Sequence, residues 1–517
     1  MTLRNQDSGV FSGAPFPLSL TISIAFMVSF ALPGCLSSAL KEAPQDPSKP
    51  WTVGEAGGAS GKPSAHGGSF AVPANAAVAH IEAAPEIRRE KTYDLPDLID
   101  LAQSHNPATR LAWQQARQAA LAQGMVEATY LPVISANLVA GRQRFANRID
   151  SGLGSLDVPT TASGYAPILS AQWLLFDFGQ RSALRDAAKH NSFAANVLFN
   201  GAHQKVIFDV TRSYFLYGAA RSRTRIAMRT LANAQEIEAA ANARMANGLG
   251  NVVDVAQGEQ QVAQARFNLV QAKAAESGAY QAQLGAMGIS PMTRIQIRDA
   301  SGRDLSEKFA APTEGLIRQA LARRPDVLAS YAAAQASRAG VKAAEAEFMP
   351  KVFLSASAAG GKNSFSTSGL PTIGQQGATT GFLVGANMPL FDGGLRSAQL
   401  QKAEALADTS ETVFNRVRAD AVREIIVGAD TLRSALASHR AATALVRAAG
   451  TTYDAALSSY KAGTGSITLA TAADNGLLTA RQAQADAHAA SLVAASNLAF
   501  VLGAMNSSAT ASELLTR

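Results

Sequence analysis

The chain has 517 residues, of which 47% are hydrophobic and 16% charged, with a formal net charge of +7 and one cysteine. A single cysteine excludes an intrachain disulfide and a cysteine-built metal cage. Its Lys and Arg residues are scattered without a tract, which argues against nucleic acid as a partner, and much of the apolar share is Ala, which favours helix over a bulky core.

The first element is an apolar run, Leu18 to Leu32, short for a spanning helix and right for the core of an export signal. Pro33-Gly34-Cys35 follows, and a small residue before a lone Cys at this point resembles a bacterial lipoprotein processing site. Residues 1–34 are therefore expected to be a signal peptide, cut before Cys35, whose thiol is then lipidated. The alternative is a plain signal peptide cut a few residues later, and an n-region with only Arg4 against Asp7 departs from the usual basic run. Residues 36–90 are rich in Ala, Gly, Pro and Ser and have no period, the composition of a disordered tether.

Order is expected from Tyr93, and the sequence then repeats itself. Pro107, Glu127, Tyr130 and Pro132 align with Pro325, Glu345, Phe348 and Pro350 at a constant spacing of 218 positions. Further on, "LFDFGQRSA" from Leu175 recurs as "LFDGGLRSA" from Leu390 at a spacing of 215. Gly248 and Gly463 keep that value. Constant spacing over long spans indicates a duplicated unit, so repeats are expected over 91–300 and 312–505, with 506–517 as a tail.

In each unit a helix is stopped by Pro132 or Pro350, since the residue before proline avoids the helical region. Strands are expected at about 132–142 and 166–177, then at about 350–360 and 380–391, each pair joined by a polar loop as a hairpin. Along them Ile134, Ala136 and Leu138 oppose Ser135 and Asn137; Leu169, Ala171 and Trp173 oppose Ser170 and Gln172; Phe382, Val384 and Ala386 oppose Gly385 and Asn387. Such alternation marks outer-membrane barrel strands, although a soluble sheet with one wet face alternates alike. The export signal favours the membrane. Four strands cannot close a barrel in lipid, where open edges are forbidden, so a membrane reading requires a cyclic oligomer.

No proline occurs from Gln180 to Ser290 or from Gly393 to the end. Gln180 to Asn247 can form one helix of about 100 Å. Gly248-Leu249-Gly250-Asn251 and Gly463-Thr464-Gly465-Ser466 then read as helix-to-helix turns, each leading into a second long helix. Helices of that length belong to fibres, coiled coils or tubes.

The ordered combination of repeat, helix–Pro–strand junctions, LFD corners and Gly turns resembles the TolC-like outer-membrane efflux proteins over roughly Tyr93 to Met505. The "RRPDV" opening and Cys35 are similar to the lipoprotein branch, which works with drug and metal pumps. The resemblance implies a mainly α fold with a small β part. Each chain gives four strands to a twelve-stranded outer-membrane β-barrel closed by a homotrimer, and long antiparallel helical hairpins form a periplasmic α-barrel. The implied partners are outer-membrane lipid, a periplasmic adaptor and an inner-membrane pump, proton-driven or ABC-type. The location is the outer membrane of a Gram-negative bacterium. At the corners, Asp177 and Asp392 are expected as N-caps, with Gly179 and Gly394 giving the bend.

The family's far helix tips form a closed periplasmic entrance. Tyr460 and Gly463 match its pattern, whereas Gly465, Leu469 and Ala472 stand where a basic and two acidic residues are expected. Asp254 matches the acidic position of the first unit, and Asp474 lies two residues past an expected acid. Three copies of Asp254 about an axis would attract cations; otherwise Asp254 is a solvated first-turn residue favoured by the helix dipole. The eight residues of the two Gly turns are candidates for adaptor contact, or simply turn chemistry.

The seven histidines show no metal spacing, and G-x-S-x-G, H-E-x-x-H and P-loop motifs are absent from the sequence. No catalytic, cofactor-binding or metal residue is therefore assigned, and no cofactor is expected. An exported stalk would explain the helices but not the hairpins. Small-molecule efflux and type I protein secretion use the same duct, and the lipoprotein-like features favour efflux.

Overall fold

A computed structural model describes residues 91–299 except 152–153, residues 311–505 except 368–369, and isolated positions within 43–90 and 302–309. The expected signal peptide, Cys35, almost all of the tether and the tail 506–517 lie outside the described residues. Residues Met1–Glu82 and Ala83–Arg517 form separate units, and both repeats belong to the second.

Each repeat opens with a helix pair. In the first, α1 (Leu95–His105) starts on a capping box in which Asp94 and Asp97 exchange backbone hydrogen bonds, and it buries Leu95, Leu98, Ile99 and Ala102 on one stripe. Asn106 caps α2 (Pro107–Ala128), its side chain accepting from the Ala108 N–H. The parallel bridge of β1 (Thr92–Tyr93) and β4 (Gln296–Ile297) flanks this region. Together these elements enclose a lateral core of Leu98, Val206, Phe215, Leu284 and Met287.

The second repeat opens with α5 (Glu314–Leu321), capped by Thr313, and α6 (Pro325–Glu345). Here Arg324 occupies the cap position without a capping side chain. Its buried guanidinium instead bridges Asp326 and Glu424, and donates to the Val501 carbonyl at 3.1 Å.

The hairpins are β2 (Val133–Ser151) with β3 (Gly154–Phe176) and β5 (Lys351–Thr367) with β6 (Ile373–Asn387). They join into one antiparallel sheet in the order β2-β3-β5-β6. Its register runs from Ile134 opposite Ala171, through Ala171 opposite Ala356, to Ala356 opposite Phe382. Directly opposed residues share a face, so Ile134, Leu169, Trp173, Leu354 and Val384 form one apolar surface. The other face carries Ser135 and Ser170, whose hydroxyls meet at 2.8 Å. Within the chain, β2 and β6 each have one unpaired edge.

Three strands outrun the expected bounds, 132–142, 166–177 and 350–360. Residues such as Thr160 and Ser163 look like loop in isolation. Here they pair in register with Thr367 and Ser364, their hydroxyls 3.1 Å and 2.9 Å apart. Strand β6 also outruns its expected start, 380, but falls short at its end. It begins at Ile373 and stops at Asn387 rather than 391, just before Pro389, which has no N–H for a ladder.

From the corners run α3 (Gln180–Ala246) and α7 (Leu395–Lys461), 67 residues each, or about 100 Å at 1.5 Å per residue. They turn back as α4 (Val252–Met287, 36 residues) and α8 (Ile467–Val501, 35 residues). Packing between them rests on small side chains: Ala234 meets Val262 and Ala265, and Gly258 sits against Glu238, where an added Cβ would come within 3.0 Å of backbone. Close approach of helix backbones gives long helices many weak contacts without bulky residues. Among the described residues no helix is long and apolar enough to cross a membrane.

Candidate functional site: the strand-to-helix corners and the helix tips

The corner is built twice on one plan. Asp177 accepts from the Gly179 N–H at 3.3 Å with Oδ1, and from the Arg181 N–H at 3.0 Å and Nε at 2.7 Å with Oδ2. Arg181 donates onward to the carbonyls of Thr129 (3.1 Å) and Leu175 (3.3 Å), and its guanidinium lies 4.6 Å from the Tyr130 ring centre. One side chain thus ties together the end of the preceding helical segment, the last strand and the new helix. In the second corner Asp392 accepts from Gly394 at 3.1 Å and from Arg396 at 3.2 Å and 2.6 Å, with Arg396 5.2 Å from the Phe348 ring.

Capping by Asp is thus modified in one respect. The formal cap positions are Gly179 and Gly394, at φ 95° and 90°, with no capping side chain of their own. The two Asp residues reach the first-turn N–H groups from two positions upstream, because a left-handed glycine turns the chain back over them.

At the first tip, Asn251 caps α4 by accepting from the Asp254 N–H at 2.8 Å. At the second, Ser466 caps α8 by accepting from the Leu469 N–H at 3.3 Å. Gly248 and Gly463 adopt φ 71° and 83° and close the preceding helices. Gly250 and Gly465 are required for space: a Cβ would lie 3.0 Å from the Met245 nitrogen or 3.1 Å from the Tyr460 nitrogen. Leu249, Asn251 and Thr464 are exposed.

The two tips are joined by a residue that sequence reasoning missed. Arg244, in the last turn of α3, donates to the Tyr460 carbonyl at 2.7 Å and to the Leu249 carbonyl at 3.0 Å. Its guanidinium also lies 5.0 Å from the Tyr460 ring centre. Lys461 pairs with Glu236 across the same junction. The signal available in the sequence was a basic residue in a helix's last turn, a common feature that does not announce a partner 216 positions away.

Tyr460 is 1% exposed, and its hydroxyl pKa is raised by burial and then by the Asp254 charge, so Asp254 and Tyr460 lie within electrostatic reach. Asp254 itself is half-buried. Asp474 corrects the expectation of an entrance charge: it is 0% exposed within a single subunit. Asn233 on α3 donates to its Oδ1 at 2.8 Å, while Gln261 nearby donates to Asn475 at 3.0 Å. Burial pushes the Asp474 carboxyl pKa up, and burial followed by Asp474 pushes the Tyr453 hydroxyl up. The residue faces a neighbouring helix rather than an axis, because α8 packs there against both α3 and α7. Among the described residues no group of three or more His, Cys, Asp or Glu side chains is gathered as a metal site.

Residues 98–288 and 316–504 each match the outer membrane efflux protein family, and the chain belongs to that family. Protein CyaE of Bordetella pertussis is 28% identical over 349 residues, covering 67% of this chain and 70% of the relative. Outer membrane protein OprJ of Pseudomonas aeruginosa is 27% identical over 344 residues, covering 66% and 70%. In structure, the outer membrane protein VceC of Vibrio cholerae superposes with a TM-score of 0.64 at 21% identity, over 79% of this chain and 96% of that one. The chain is thus an outer-membrane channel subunit of a Gram-negative bacterium that extends into the periplasm. It has the family's α-barrel and trimeric β-barrel architecture, and works with a periplasmic adaptor and an inner-membrane pump. Members of this family are channels rather than enzymes.

Proposed function

We propose that this chain forms the exit duct for small molecules, such as drugs, dyes or metal ions, and itself catalyses nothing. The carrying observation is the doubled corner, in which Asp177–Arg181 and Asp392–Arg396 continue each strand pair into a helix about 100 Å long without a break. A wall built so has passage, not chemistry, as its purpose. Energy comes from the inner-membrane partner. The test is dye efflux from energised cells with and without the gene. Slower efflux on deletion, restored by the intact gene, supports the reading.

The same duct fits a second reading, the outer-membrane component of type I protein secretion. Unchanged dye efflux with a protein missing from the medium would establish it instead.

Residues 1–34 serve in this proposal as a signal peptide, Cys35 as the lipidated first residue, and 36–90 as a tether, with repeats over 91–300 and 312–505 and a tail from 506. The turn residues Leu249, Asn251, Thr464 and Ser466 meet the adaptor. Three copies of Asp254 ring the entrance and attract cations. Block of single channels by divalent cations should weaken several-fold in Asp254→Asn; equal block in wild type and variant would remove the ring.

A further inference from the structure

Where α3, α7 and α8 meet, a cavity of about 540 Å³ takes no part in the corners or the tips. Its polar lining is Ser222, Arg225 and Arg229 from α3, His439 from α7, and Arg481, Gln484 and His488 from α8. Phe215 and Leu492, both members of the lateral core, supply apolar wall. No Asp or Glu is among the lining residues.

The neighbouring acids cancel only part of this charge. Asp299 pairs with Arg225 at 3.1 Å, and Asp486 is held by Arg223 at 2.7 Å. Asp474 attracts Arg481, yet burial favours its neutral form. Among the described residues, neither Arg229 nor Arg481 has an ion-pair partner. Gln484 donates to the Thr443 hydroxyl at 3.1 Å. The His439 and His488 rings are 5.4 Å apart, and burial followed by His488 lowers the pKa of His439. Two imidazolium ions at that distance repel unless an anion lies with them.

A cavity holding two such guanidinium groups concentrates anions, and the planar fork matches phosphate oxygens two at a time. The volume is that of a small-molecule site, larger than an inorganic ion needs. Arg225 lies about 65 Å along α3 from the strand corner, out of reach of membrane headgroups, so the ligand is a soluble one.

We propose that this cavity binds a small soluble solute bearing phosphate-type dianionic groups, gripped by Arg229 and Arg481 and embraced by the His439–His488 pair. The proposal does not depend on what the channel transports. A bound dianion favours the imidazolium form of His439, so affinity is highest below the ordinary histidine range and falls as pH rises through it.

The test is isothermal titration of inorganic pyrophosphate into the detergent-purified full-length protein at constant ionic strength, at about pH 6 and about pH 8. Saturable binding is expected at the lower pH, with affinity falling at least about tenfold at the higher, as one titrating group coupled by one pK unit gives. The double variant Arg229→Gln/Arg481→Gln should lose binding while still eluting as the wild-type oligomer. His439→Gln/His488→Gln should still bind but lose the pH dependence. Absence of saturable heat, equal affinity at both pH values, or undiminished binding to the arginine variant would each overturn the proposal. If the double arginine variant fails to assemble, Arg229→Gln alone gives the same decision.

Discussion

In the first repeat Asp177 holds Arg181 at 2.7 Å beside Tyr130; in the second Asp392 holds Arg396 at 2.6 Å beside Phe348. These corners have stayed alike. The tips have not: at the 215-position spacing of the repeat, Arg244 corresponds to Ser459, Tyr460 to Met245, and Asp254 to Leu469. The two tips therefore hold complementary parts of one junction rather than two copies of it. The difference follows from what each place must do. A wall with two equivalent staves needs the same strand-to-helix joint in both. A junction between two hairpins needs one donor and one acceptor, and a second copy adds nothing.

The comparison breaks hardest at the corners. Arg181 and Asp177 are 9% and 8% exposed, whereas Arg396 and Asp392 are 13% and 24%. Removing one partner of a buried pair leaves an uncompensated charge, so Arg181→Ala should cost about 3–5 kcal/mol. Arg396→Ala should cost clearly less, because water reaches Asp392 more readily. Thermal unfolding of the two variants measures this. Equal losses would show that the corners are energetically as well as geometrically equivalent.

The tip junction is the next largest effect. Arg244→Ala removes two charge-assisted hydrogen bonds and a ring contact, about 1.5–3 kcal/mol. It should raise single-channel conductance and increase sensitivity to large antibiotics, whereas Tyr460→Phe, which keeps the carbonyl and the ring, should do little. Conductance unchanged in Arg244→Ala would mean that the junction holds the subunit together without controlling the entrance.

Asp474 is buried where its first-repeat counterpart, Glu259, is exposed, and that burial gives it a pH dependence. Its native pKa is raised by burial above that of the unfolded chain. The stabilisation is complete below the unfolded carboxyl range, near about pH 4, and is lost as pH rises through the native value. Asn233, Gln261, the Tyr453 hydroxyl and Arg481 are the groups that face it. Asp474→Asn keeps the shape and should flatten the slope of unfolding midpoint against pH between about 4 and 8. An unchanged slope would assign the dependence to other carboxyls.

The repeat, the corners and both turns were legible because each depends on local chemistry: a proline that stops a helix, a glycine that bends, a proline-free run of Ala-rich sequence. The strand ends were not, since Thr160 and Ser163 become strand only by pairing with a segment some 200 positions away. Asp474 was misplaced for a similar reason. Its distance along the chain from the turn suggested the entrance, but helix packing decides which side of α8 is enclosed. Arg244 went unseen because its partners lie on the other hairpin.

The smallest effect concerns the one corner position where the repeats differ in backbone tolerance. Phe178 has φ 51°, while its counterpart Gly393 has φ 66°. An L-residue with a bulky side chain is strained there by about 1–2 kcal/mol, and glycine is not. Against that relief stands the edge-on contact of Phe178 with Phe176, ring centres 4.7 Å apart, worth about 0.5–1.5 kcal/mol. Phe178→Gly should therefore change stability by less than about 1 kcal/mol, whereas Phe178→Ala, which loses the ring and keeps the strain, should be clearly destabilising. Chemical denaturation of both variants separates the two terms. If alanine and glycine behave alike, the left-handed turn carries no strain, and Phe178 is retained for its ring alone.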